Sequence, residues 1–107
     1  DGTDMVLRGV SSVTVKRMAT AISANTTDAV IVGVMNTGAA RTITLETDHV
    51  VTGRIYIIKD ESGGAAANNI TIDTEGAELI DGAASIVINT NYGVARLYCT
   101  GTHWMTF

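Results

Sequence analysis

Residues 53–72 read "GRIYIIKDESGGAAANNITI". Two stretches in it, 55–58 and 70–72, carry the β-branched and aromatic side chains that fit a pleated, half-buried surface. The tract between them holds acid, glycine, alanine and asparagine, and it is too long for a two-residue hairpin turn. Ala65, Ala66 and Ala67 permit close approach to a neighbour. Asn68 and Asn69 accept turn conformations and offer side-chain hydrogen bonds. The expectation is a connection that crosses between sheets or wraps over one end of them. It contains no recognisable catalytic constellation, so it reads as architecture.

Working outward, short apolar or alternating segments recur roughly every ten residues, at 10–15, 29–35, 41–45, 54–59, 69–73, 85–89, 94–99 and 103–107. The turn vocabulary "NTG", "ESGG", "TEG", "IDGAA", "NTNYG" and "CTGT" separates them. That spacing predicts an all-β fold, an antiparallel β-sandwich of jelly-roll type with about seven or eight short strands. In "NITID" Ile70 and Ile72 face one way while Thr71 and Asp73 face the other, and "SIVIN" repeats the pattern with Ile86 and Ile88. "AVIVGVM" is apolar on both faces, which fits a strand central in a sandwich or buried between subunits. Residues 1–24 mix strand and helix spacing. A strand through Val13 and Val15 is expected, with 1–9 as a connector; the opening "DGTDMVLRG" looks like part of a longer or processed chain. The domain proper is expected to span 25–107.

Of the 107 residues, 46% are hydrophobic and only 17% charged, and the mean hydropathy is positive. A small monomer must keep a large surface wet. The composition therefore fits either apolar surface buried against copies of the chain or a well-filled core under a Thr/Asn/Gly surface. A net charge of −4 without a Lys/Arg cluster argues against nucleic acid, which needs several cations together. No apolar run approaches the ~20 residues of a membrane helix, and no signal-peptide pattern is present. Cys99 is the single cysteine, which excludes an internal disulfide.

Chemical motifs are sparse. His49 and His103 lack any metal-ligand spacing, so no metal or other cofactor is expected. Asp60–Glu61 and the group Asp73, Glu75, Glu78 and Asp81 read as solvated turn acids. No nucleophile elbow surrounds Ser11, Ser12, Ser62 or Ser85. Cys99 falls on the inward face of its strand, as a small hydrophobe. These readings point away from an enzyme. Tyr92, His103 and Trp104 are the candidate contacts to a glycan or partner, because exposed aromatics stack on sugars and anchor interfaces. Val30, Val32, Val34 and Val94 are the candidate subunit interface.

Several elements in order, 53–63, "NNITI" at 68–72, "IDG" at 80–82, "NYG" at 91–93 and "GTHW" at 101–104, resemble a module found in virion structural proteins of tailed bacteriophages. "TTDAVIVGV", with Asp28 before the apolar strand, is similar to that module's first strand. "ITLE" lacks a proline common there, and Gly64 replaces a common Asn. The resemblance covers about residues 25–107. It implies a β-domain assembled as a homotrimer, located in the virion as part of a tail fibre, head fibre or capsid decoration. It implies copies of itself and other capsid or tail proteins as partners, and no catalytic residue. The competing reading is a receptor-binding tip that recognises a host surface glycan or protein through Tyr92, His103 and Trp104.

Overall fold

The computed structural model describes residues 13–19, 22–23 and 29–107; the expected connector over 1–9 lies outside them, as does Asp28. Among the described residues the strands are β1 (Thr14–Met18), β2 (Ile22–Ser23), β3 (Ala29–Val34), β4 (Arg41–Leu45), β5 (Ile55–Asp60), β6 (Ile70–Thr74), β7 (Ser85–Ile88), β8 (Val94–Cys99) and β9 (Trp104–Thr106), with one 3₁₀ turn at Thr47–His49. They form a five-stranded sheet in the order β1-β3-β5-β8-β9 and a four-stranded sheet in the order β2-β4-β6-β7.

The all-β class is as expected; the strand directions are not. From β1 to β6 the chain alternates between the two sheets. Each strand pairs in parallel with the one two places earlier, β1 with β3, β3 with β5, β2 with β4 and β4 with β6. Among the described strands, antiparallel pairing enters with β7 on β6, β8 on β5 and β9 on β8. The physical reason is the connections. Evenly spaced turns mark where strands stop, but a link that delivers the chain to the opposite sheet makes the next neighbour in the same sheet run the same way. The coil therefore winds first and closes with antiparallel strands.

Alternation along each strand fills one shared core. Val32, Val34, Tyr56, Ile58, Leu97, Cys99 and Trp104 enter it from the five-stranded sheet. Ile43, Leu45, Ile70, Ile72 and Ile88 enter from the four-stranded sheet. The Trp104 and Tyr56 rings lie 5.5 Å apart between centroids. Burying each Val, Leu or Ile contributes about 1.5–3 kcal/mol, so this common core is the main source of stability. Before β7, Asp81 (φ 50°) and Gly82 (φ 81°) form a two-residue turn, closed by reciprocal bonds between Ile80 and Ala83 of 2.7 and 2.8 Å. Positive φ at both central residues is why Asp-Gly occupies it.

The tract at 61–69 crosses from β5 in one sheet to β6 in the other, as expected of it. Its geometry depends on Asp60, whose side chain is fully buried at the end of β5. Asp60 Oδ1 accepts from the Ser62 N–H (3.0 Å), the Ser62 hydroxyl (3.1 Å) and the Gly63 N–H (2.9 Å). Asp60 Oδ2 accepts from the N–H groups of Ala65 and Tyr92, both at 3.0 Å. Asn68 Nδ2 donates to the Thr37 carbonyl and Asn69 Nδ2 to the Ala65 carbonyl, each at 2.8 Å. The asparagines thus supply the bonds expected of them, and Ala65 is buried against the core.

Candidate functional site

Because both sheets give their inward side chains to one core, the outward side chains define what the molecule offers. On the five-stranded sheet, pairing aligns Ile55 with Tyr98 and Tyr98 with Met105. The next row runs Val15, Ile31, Ile57 and Arg96 across β1, β3, β5 and β8. Phe107 extends it, its N–H bonding to the Arg96 carbonyl at 3.0 Å. Val15, Ile55, Val94, Tyr98, Met105 and Phe107 are all exposed, Phe107 at 55%. Tyr98 and Phe107 rings sit 6.0 Å apart, and the Arg96 guanidinium lies 5.6 Å above the Phe107 ring. The cation thereby covers an aromatic face without breaking the apolar row.

One border of this face is charged. Arg17 Nε and Nη2 donate to Glu61 Oε1 at 2.9 and 2.6 Å. The Glu61 side chain reaches Arg17 by lying over Gly33, where an added Cβ would meet Glu61 Oε2 at 1.7 Å. Glycine at 33 makes room for that ion pair. Hydrogen bonding to Glu61, with its charge, holds the Arg17 guanidinium protonated still more firmly than usual.

The predicted residues fall in three different environments. Trp104 is fully buried on the core side of β9, so its ring is not available to a sugar. The reason is register: Trp104 pairs with the inward Cys99, while Met105 takes the outward place. His103 is exposed in the β8–β9 turn, and its Nδ1 accepts from the Leu79 N–H at 3.0 Å. Tyr92 is 59% exposed with φ 58°, in the turn before β8. Its ring covers Gly63, where a Cβ would meet Tyr92 Cζ at 2.4 Å. The whole of β8, roughly 20 Å at ~3.3 Å per residue, separates Tyr92 from His103. These three residues form no common site.

Of the candidate interface residues, Val94 is exposed on the apolar face, and Val30 is half-buried at the start of β3. Val32 and Val34 are fully buried within this chain and so leave nothing for a second copy to cover. The outward residue of β3 is Ile31. A strand apolar on both sides carries no period-2 signal to say which side is out.

Burial and hydrogen bonding shift several titrating groups. Burial pushes the Asp60 carboxyl up, the largest single influence. The bonds from Gly63, Ala65, Tyr92 and Ser62 together outweigh it and hold the group below the ordinary carboxylate value. The Thr106 hydroxyl and N–H, which both donate to its carboxylate, lower Asp81. Burial raises the Tyr56 phenol, whose Oη lies 2.8 Å from Nδ1 of the buried His49. Among the described residues no group of three or more His, Cys, Asp or Glu is placed to hold a metal ion. None of their helices is long and apolar enough to cross a membrane. Asp60, expected as a solvated turn acid, is instead fully buried; the missed signal is Asp followed by Ser and Gly two and three positions later, the pattern of a side chain capping its own turn.

Searched against protein families and curated sequences, the chain matches no family model and no curated protein.

Proposed function

We propose that this chain is a non-enzymatic structural module of a bacteriophage virion, a homotrimeric fibre or capsid-decoration domain that assembles through the outer face of its five-stranded sheet. The observation that carries this reading is the pair of apolar rows on that face, Ile55–Tyr98–Met105 and Val15–Ile31–Ile57 with Phe107. Exposed apolar side chains that stand together in rows mark surfaces that bind protein, and subunit contacts are built from them. The resemblance to virion modules supplies the threefold symmetry, the virion location and the other capsid or tail proteins as partners. Assembly is the whole of the mechanism: the apolar rows leave water as copies meet, and Arg96 stays paired with Phe107 at the seam.

Light scattering after size exclusion tests it. The expected mass is three times the 11.2 kDa of one chain. Tyr98→Glu, which places a charge in the first apolar row, should return the protein to one chain. Thr42→Glu on the opposite sheet should leave the assembly whole. A single-chain mass for the unaltered protein, or an assembly indifferent to Tyr98→Glu, would overturn the proposal.

A further inference from the structure

The two-residue turn before β7 carries a reactive dipeptide. Asp81 and Gly82 are both exposed, and a Cβ built at Gly82 would meet nothing within 4 Å. Glycine puts no side chain beside its nitrogen, and no described hydrogen bond uses the Gly82 N–H. In an Asp-Gly pair that nitrogen can attack the Cγ of the aspartate before it. The N–Cγ bond forms, one carboxyl C–O bond breaks, and the N–H proton leaves with the carboxyl OH as water. The product is a five-membered succinimide. Water then adds to one of its two carbonyls. Opening at Cγ restores aspartate, and opening at the α-carbonyl leaves isoaspartate. One water leaves and one returns, so no other reactant is needed.

Ring closure requires a carboxyl that is neutral and free to bring Cγ onto the nitrogen. The fold opposes both conditions. Asp81 Oδ1 accepts from the Thr106 N–H at 2.9 Å, and Oδ2 accepts from the Thr106 hydroxyl. The same two donors favour the ionised carboxylate. The backbone is held as well: the Asp81 N–H bonds to the Trp104 carbonyl at 3.0 Å, and Ile80 and Ala83 close the turn. We infer that Asp81–Gly82 is a site of spontaneous isoaspartate formation and that Thr106 restrains it. β9 is a three-residue strand at the end of its sheet's described order, the kind of element that opens locally before the core does. Each opening frees the carboxyl. Isoaspartate lengthens the backbone inside a two-residue turn, so the Ile80–Ala83 bonds and the tie to Trp104 cannot all be remade. The modification therefore leaves β9, with the outward Met105, less firmly attached. This inference does not depend on the assembly reading, because every bond in it lies within one chain.

Incubation of the full chain at neutral pH, followed by digestion and mass-spectrometric mapping of isoaspartate, tests the assignment. The sequence holds a second Asp-Gly pair at 1–2, so the position is assigned peptide by peptide. The expected result is slow conversion at Asp81 in the folded chain and much faster conversion in denaturant. Thr106→Val should speed conversion of the folded chain about tenfold, the population shift that a hydrogen bond to a charged acceptor supplies. Thr106 is exposed and valine keeps its shape, so the variant should fold as the parent does. Thr102→Val is the control: it removes a hydroxyl 3.3 Å from that of Thr100 in the β8–β9 turn, touches no bond to Asp81, and should convert at the parent rate. Absence of isoaspartate at 81 even in denaturant, equal rates in folded and denatured chain, a Thr106→Val rate equal to the parent's, or a Thr102→Val rate as fast as that of Thr106→Val would overturn the inference.

Discussion

The two sheets share one core but present opposite chemistry to the outside. The five-stranded sheet shows Ile, Val, Tyr, Met and Phe in aligned rows. The outward positions of the four-stranded sheet are Thr42, Thr44, Thr71, Asp73 and Ser85, with Val87 as the apolar exception. Both sheets mix parallel and antiparallel pairs, so the difference lies in the side chains at outward positions. Inward positions could not be varied in this way, because both sheets need the same kind of residue to fill a common interior. The contrast teaches that, in this fold, one side of each strand fills the common core, while the other is free to differ between the sheets.

The strongest way to break the comparison is to remove what the two faces share. Trp104→Ala should cost roughly 3–5 kcal/mol, measured by chemical denaturation, since the ring is fully buried against Tyr56. Its backbone also ties the segment before β7 to β9, by N–H to the Leu79 carbonyl at 2.9 Å and carbonyl to the Asp81 N–H at 3.0 Å. Both faces should lose their integrity together. Trp104→Phe should recover much of the loss, because the indole Nε1 is buried without a partner among the described residues. If Trp104→Ala left stability intact, the division between inner and outer positions would be wrong.

How far this was legible in the sequence depends on where each signal lived. Ile70, Ile72 and Ile88 were readable as inward because polar residues alternate with them, and Cys99 because Arg96 and Tyr98 fix its opposite face. "AVIVGV" has apolar residues on both sides, so nothing local told Ile31 from Val32. The parallel winding was hidden for another reason: pairing direction depends on which sheet a connection reaches, and that is decided by contacts far along the chain. Glu61 reaches Arg17, 44 positions away, and Tyr92 supplies a donor to Asp60 from 32 positions away. Asp60–Glu61 therefore looked like a pair of solvated turn acids, while in the fold one is buried in a ring of donors and the other bridges the sheet surface.

That ring gives a smaller effect that sharpens the comparison, because the crossing between the two sheets starts at Asp60. Asp60→Asn turns an NH₂ group toward at least two N–H donors and should cost about 2–3 kcal/mol, given ~1.5–3 kcal/mol for a hydrogen bond to a charged group. The same group makes stability depend on acid. Its folded pKa is lowered, so the unfolded chain, with an ordinary Asp value of about 3.9, takes up its proton first. The stabilisation is complete above that value and is lost as pH falls through the folded one. Denaturation midpoints measured from neutral pH down to strong acid should decline below pH ~4, and less steeply in Asp60→Asn. An unchanged acid slope in the variant would show that the tie between the sheets rests on other groups.

The smallest expected effect separates the faces themselves. Thr44 lies outward on β4, half-buried, between Ser23 and Asp73 in the register, and no described hydrogen bond uses its hydroxyl. Thr44→Val is close in shape and removes only that hydroxyl, so stability should change by no more than about 0.5 kcal/mol, as for surface positions away from special contacts. Ile57→Thr makes the reverse exchange on the other sheet, in the row between Ile31 and Arg96. Its effect should fall on assembly, read as a shift of the mass-versus-concentration curve toward one chain, while Thr44→Val leaves that curve in place. If Thr44→Val instead cost more than ~1 kcal/mol, the hydroxyl face would be holding the fold. The two sheets would then differ in stability as well as in what they present.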